Sequence, residues 1–168
     1  MPNINTYLSK NTFKMVNDEK DTLIKKYSEE FGVEESLIRA IISQESNDYP
    51  FACRIENHLR KQKWYLKTIP SKYKKDPYAY CSMGYMQILY GVARDYGFKG
   101  SPIELMLGEN SIKYGVRHLQ QLGKRYKQVD SVISAYNQGS DRKFPAGHAY
   151  SGKFRNKEYV AAVLKRIK

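Results

Sequence analysis

Only two cysteines, Cys53 and Cys81, occur among the 168 residues. They form no Cys-x-x-Cys pair, and no histidine sits at ligand spacing from either. A metal site is therefore not expected. Two free thiols suit a chain made in a reducing compartment, and nothing in the spacing supports a disulfide closing residues 53–81. The histidines number three, His58, His118 and His148. They are scattered, and each reads as a surface or packing residue. No apolar run approaches the ~18 residues of a membrane-spanning helix, so no span is expected. The opening Met1-Pro2-Asn3-Ile4-Asn5 lacks the charged-then-apolar order of a signal peptide, and none is expected there. Alternating strand patterns are missing outside residues 50–82, and there is no internal repeat, linker or low-complexity tract. Acidic residues are in short supply. The 17 Asp and Glu face 29 Lys and Arg, a formal charge of +12. Such an excess draws polyanions: nucleic acid, an acidic membrane surface or an anionic wall polymer. It does not choose between them.

Aromatics are plentiful, at 13% with 15 tyrosines, which argues against disorder. The length suits one domain, residues 1–168, with one core. Residues 1–16, with Tyr7, Leu8 and Phe13 as apolar anchors, are expected to be an irregular lead-in. A helix follows from Asn17 or Asp18, with Leu23, Ile24, Tyr27 and Phe31 on one face and Gly32 ending it. Glu34, Glu35 and Ser36 open a second helix, which Asn47-Asp48-Tyr49-Pro50 stops. Residues 50–82 are least regular, with a short helix predicted around 56–66. There Arg60, Lys61, Lys63 and Lys67 interleave with Trp64 and Tyr65, a pattern that suits stacking on bases or sugars as well as core anchoring. The spacing of Met86, Leu89, Val92 and Ala93 predicts a helix beginning at Gly84. Ser101-Pro102 starts a short helix ending at Gly108. A long one spans about 110–126, where Gly115 and Gly123 allow close approach. Asp130-Ser131 caps the next, which ends at Gly139, and a last helix runs from about Asn156.

Glu45 attracts the chemistry. Leu37, Ile38 and Ile41 form an apolar stripe, and Glu45 follows Ile41 by four residues on the same row. A carboxyl there is partly desolvated, which raises its pKa and suits it to donate a proton near neutrality. A helix-end Glu turned to solvent fits the same spacing.

Five segments then fall in order: Glu45-Ser46; Gly84-Tyr85-Met86-Gln87-Ile88; Ile112, Gly115, His118-Leu119 and Leu122; Ala135-Tyr136-Asn137-Gln138-Gly139; and Tyr159-Val160. With this order, on helices, residues 33–165 resemble the lytic transglycosylases of the goose-type-lysozyme-like family. Arg54-Ile55-Glu56 and the long insert after it look like phage and prophage variants. The resemblance implies a mainly α, lysozyme-like domain of seven to eight helices, with at most a small β or irregular insert around residues 50–82. It implies cleavage of the β-1,4 bond between N-acetylmuramic acid and N-acetylglucosamine in peptidoglycan, without a cofactor, by a monomer. Glu45 maps to the acid that then acts as base and leaves a 1,6-anhydro product. Met86 and Gln87 map to the cleft lining, and Tyr136 and Asn137 to its floor, where a phenol or amide can orient the carboxyl. Tyr159 maps to a tyrosine beside the Glu, and Ser46 to a sugar-binding or capping hydroxyl. Tyr85 departs from the family's usual aliphatic residue.

A two-carboxylate glycosidase needs a second acid. Asp48, Glu56, Asp76 and Asp95 are available. If Glu56 or Asp48 held a water in the cleft, the enzyme would be a hydrolytic muramidase. Two other classes compete. One is a basic nucleic-acid-binding module using Arg60–Lys67 with Lys165, Arg166 and Lys168, and the other is an inactive structural component of a wall or virion. The ordered motifs favour the enzyme, with glycan strands and anionic wall polymers as partners and nucleic acid not expected. It would act at the wall in the periplasm or cell exterior, reached by lysis, within a phage particle or through an export machine.

Overall fold

The computed structural model describes residues 10–167, with side chains from Glu19 onward. The expectations for Met1–Asn5, for the lead-in as far as residue 9 and for the anchors Tyr7, Leu8 and Phe13 lie outside what is described. Helix α1 (Lys10–Phe31) starts well before Asn17, so residues 10–16 are helical rather than irregular. No glycine or proline interrupts this stretch, and nothing breaks the helix. Ile24 and Tyr27 are its buried face, and Gly32, at φ +65°, ends it.

Helix α2 (Glu35–Ser46) buries Ile38, Ala40, Ile41 and Ile42. Asn47 and Asp48 take φ of 50° and 61° and turn the chain out of the helix. Strand β1 (Cys53–Ile55) follows, then a 3-10 turn over Asn57–Lys61 and the short α3 (Lys63–Thr68). Strands β2 (Cys81–Met83) and β3 (Ile88–Leu89) complete a small antiparallel sheet of order β1-β2-β3, and α4 (Tyr90–Asp95) leaves it. Arg54 pairs with Ser82, and Met83 with Ile88. Cys53 and Cys81 are unbonded thiols, the first exposed and the second buried.

The segment from Gly84 is thus a hairpin turn, not a helix start. Its apolar residues keep helical spacing, but Gly84 at φ +72° and Gln87 at φ +47° are left-handed, which no right-handed helix accommodates. Buried Ser111 replaces the missing helical bonds, accepting from the Met86 N–H at 3.1 Å. A Cβ on Gly84 would lie 2.4 Å from the Ser111 Oγ, so only glycine fits.

A 3-10 turn over Ile103–Met106 leads into α5 (Gly108–Arg125), then α6 (Val129–Gln138) and α7 (Lys157–Ile167). Helix α6 opens at Val129, two residues before Ser131, and Asp130 accepts from the Ser131 N–H inside its first turn. The architecture is mainly helical, with seven α-helices among the described residues and a small sheet built from the insert and the hairpin that follows it.

The length suggests one core, but the buried side chains form two clusters. The larger gathers Ile24, Ile38, Ile41, Met86, Val116 and Val163 from the long helices and the hairpin turn. The smaller gathers Leu59, Tyr65, Tyr80, Met83, Tyr90 and Leu105 from the insert, the sheet, α4 and the 3-10 turn before α5. Helix α5 serves both, because Ile112 and Val116 belong to the first while Tyr114 packs against the second. Gly115 provides close approach, although to the Met86 side chain rather than to a helix. Gly123 meets nothing within 4 Å.

Candidate active site

A cleft of about 460 Å³ opens between the two clusters. Glu45, on the last turn of α2, lines it. The apolar stripe that builds α2 also drags this carboxyl inward, and burial pushes its pKa above the ordinary Glu value. The Tyr159 hydroxyl, from α7, donates to Glu45 Oε1 at 2.6 Å and pulls the pKa part of the way back. The Arg54 charge does the same, and the Glu56 charge pushes it up again.

Glu56 lines the same cleft at the end of β1. Arg54 Nε donates to its Oε1 at 2.6 Å, and His58 Nδ1 lies 3.6 Å from Oε2. The Ser82 hydroxyl sits 3.4 Å from Glu56 Oε1 and 3.1 Å from Gln87 Oε1, bridging the two. Gln87 faces the cleft with its amide already fixed. Its Nε2 donates to the carbonyls of Ala52 at 2.9 Å and Gly84 at 3.0 Å. Its left-handed backbone is what turns the side chain outward beside buried Met86.

The remaining predicted residues divide. Asn137 lines the cleft, and its Oδ1 accepts from Asn156 at 3.0 Å, which leaves its NH2 group for a ligand. Tyr136 also lines the cleft, but its hydroxyl donates to the Met86 carbonyl at 2.7 Å. The phenol that orients the Glu45 carboxyl is therefore Tyr159, while Tyr136 ties α6 to the hairpin. Met86 was expected on the lining, yet its side chain is fully buried, because the missing side chain of Gly115 leaves the slot it fills. The Ser46 hydroxyl donates back to the Ile42 carbonyl at 3.0 Å, a bond internal to the helix. Asp48 is outside the cleft, held by Lys20 of α1 at 2.6 Å. Asp76 accepts from the Tyr78 N–H at 2.9 Å and caps a 3-10 turn, whereas Asp95 does reach the cleft.

Ser82 and His118 line the cleft with no predicted role. Ser82 follows from its register opposite Arg54, which no sequence pattern reveals. His118, read as a packing residue, lines the cleft with Nδ1 2.8 Å from the Tyr96 hydroxyl. Burial pushes its pKa down to about 4, so the ring is neutral at physiological pH. Its ring lies 5.3 Å from that of Tyr136. The only tryptophan, Trp64, is 52% exposed and faces the cleft, while its neighbour Tyr65 is the core anchor.

A half-buried, hydrogen-bonded carboxyl facing a cleft is suited to proton transfer. No curated protein and no solved structure matches the chain. A family model described as the transglycosylase SLT domain matches residues 22–158. That span holds α2 with Glu45, the Gln87 hairpin, α5 and the Tyr136-Asn137 helix end, and it stops one residue short of Tyr159. The chain belongs to the transglycosylase SLT domain family, whose general activity is the lytic cleavage of peptidoglycan.

Proposed function

We propose that Glu45 cleaves the β-1,4 bond between N-acetylmuramic acid and N-acetylglucosamine, acting first as acid and then as base. Residues 33–165 form the catalytic core. The protonated carboxyl gives its proton to the glycosidic oxygen as the C1–O bond breaks. The resulting carboxylate takes the proton of the muramyl 6-hydroxyl, whose oxygen closes on C1. The product is a 1,6-anhydro sugar, and Glu45 is again protonated without water. The substrate's own N-acetyl group shields the cationic centre. One observation carries this reading: Glu45 is half-buried at the cleft with Tyr159 as its hydrogen-bond donor, and its pKa is raised. A raised pKa favours the acid form that starts the reaction, and a nearby donor favours the anion it becomes.

Glu56 favours a second outcome, because it shares the cleft with Glu45. If it bound a water on the far face of the sugar, the bond would be hydrolysed. Its bonds to Arg54 and Ser82 already occupy Oε1, which supports the first outcome over the second.

Digestion of purified peptidoglycan with mass spectrometry of the fragments separates the two. Anhydro-muramyl ends are expected, and reducing ends would establish hydrolysis. Glu45→Gln is nearly isosteric and is expected to lower turnover by at least about a thousandfold with the fold intact. Substantial remaining activity would sink the assignment of Glu45.

A further inference from the structure

Helix α3 lies in the insert between β1 and β2, and it has two working faces. Trp64 looks into the cleft. Lys63 and Lys67, four apart and so on one row of the helix, look the other way. There they meet Lys74 around a separate open depression of about 540 Å³, whose floor is Leu66, Ile69 and Pro70. Residues 57–75 hold seven Lys and Arg and no Asp or Glu. Among the described residues none of those seven enters an ion pair. The flanking acids are engaged elsewhere, Glu56 by Arg54 and Asp76 by the Tyr78 N–H. The charge is therefore concentrated and uncompensated.

We propose that the Lys63–Lys67–Lys74 depression is a docking site for a phosphodiester polymer of the cell wall, one that alternates phosphates with short polyol units. The proposal rests on the wall as the place of action. Three ammonium groups supply point charges of the kind that bind phosphate. The apolar floor accepts the carbon units between charges. No aromatic ring lines the depression, so it offers nothing for nucleic-acid bases to stack on. Because α3 separates it from the cleft by one helix width, a bound polymer would hold the enzyme on the wall while leaving Trp64 and the cleft free for the glycan strand.

The test measures binding of soluble poly(glycerol phosphate) to the full chain across a salt series. The wild type is expected to bind. Lys63→Gln/Lys67→Gln/Lys74→Gln is expected to bind at least about tenfold more weakly, with a salt slope smaller by about 2, roughly 0.7 per charge removed. A control that removes equal charge elsewhere, Lys25→Gln/Lys127→Gln/Lys165→Gln, is expected to lose less than about threefold. Melting temperatures of both variants, and their turnover of soluble glycan fragments, are expected to match the wild type. Equal losses in the two variants would overturn the site in favour of diffuse charge. So would a wild type that ignores the polymer, or one that prefers a DNA duplex and loses it in the same variant. Polymer binding by a chain that cuts no glycan would overturn the proposed function and leave the docking site standing.

Discussion

Glu45 is balanced by two neighbours of opposite effect. Tyr159 favours its anion, and Glu56 opposes it. Their removal is expected to move the alkaline limb of the pH–rate profile in opposite directions, since that limb marks loss of the acid form. Tyr159→Phe should shift it to higher pH and lower kcat/KM about ten- to a hundredfold through lost orientation. Glu56→Gln should shift it to lower pH. Profiles of kcat/KM against pH read both, and shifts of the same sign would refute this balance. Burial also links Glu45 to stability. Its pKa is raised in the folded state, so between the unfolded and folded values the folded chain holds a proton that the unfolded chain releases. Stability contributed by that proton is full below the unfolded value and is lost as pH rises through the folded one. Glu45→Gln should therefore melt at a higher temperature than the wild type at neutral pH, and the difference should vanish below about pH 4. The partial burial of Glu45 follows from its place on an apolar stripe, although a solvent-turned carboxyl fits the same spacing. The Tyr159 bond was not legible, because it joins positions 114 apart and no local spacing encodes it.

The hairpin between β2 and β3 is the element that positions Gln87, and α5 is what supports it. A Cβ on Gly115 would lie 2.5 Å from Met86 Sδ and 2.6 Å from Met86 Cβ. Gly115→Ala should destabilise by about 1–3 kcal/mol through overpacking and should lower activity by displacing the turn. Gly123→Ala, on the same helix with open space around it, should instead stabilise by up to about 1 kcal/mol. Urea denaturation of the two variants checks the contrast. The long helices were readable because each buries a single stripe, as Ile112, Val116 and Leu119 do on α5. The Gly84–Ile88 segment misled for the same reason. Met86, Leu89 and Val92 keep helical spacing, yet the conformation is decided by two left-handed residues and by Ser111, which is distant in sequence. The family resemblance puts Met86 on the cleft lining, and only the slot over Gly115 reveals that it turns inward.

The whole molecule is cationic, at +12, and its substrate class is an insoluble polymer that carries acids. Binding to isolated wall sacculi should weaken at least about tenfold between ~50 and ~200 mM salt, as pelleting at graded salt would measure. Salt-insensitive binding would refute a main role for charge. Net charge was plain in the sequence, but its gathering around Lys63, Lys67 and Lys74 depends on how the insert folds back after α3. The two clusters of buried side chains, bridged by α5, bear on how the molecule opens. Amides of β2 and α4 depend on the smaller cluster, and those of α2 and α7 on the larger. In hydrogen exchange the former should surrender deuterium protection first, by a sub-global opening that leaves the latter closed. A glycan fragment lying in the cleft touches both sides, so saturating ligand should make the two groups of amides exchange in step.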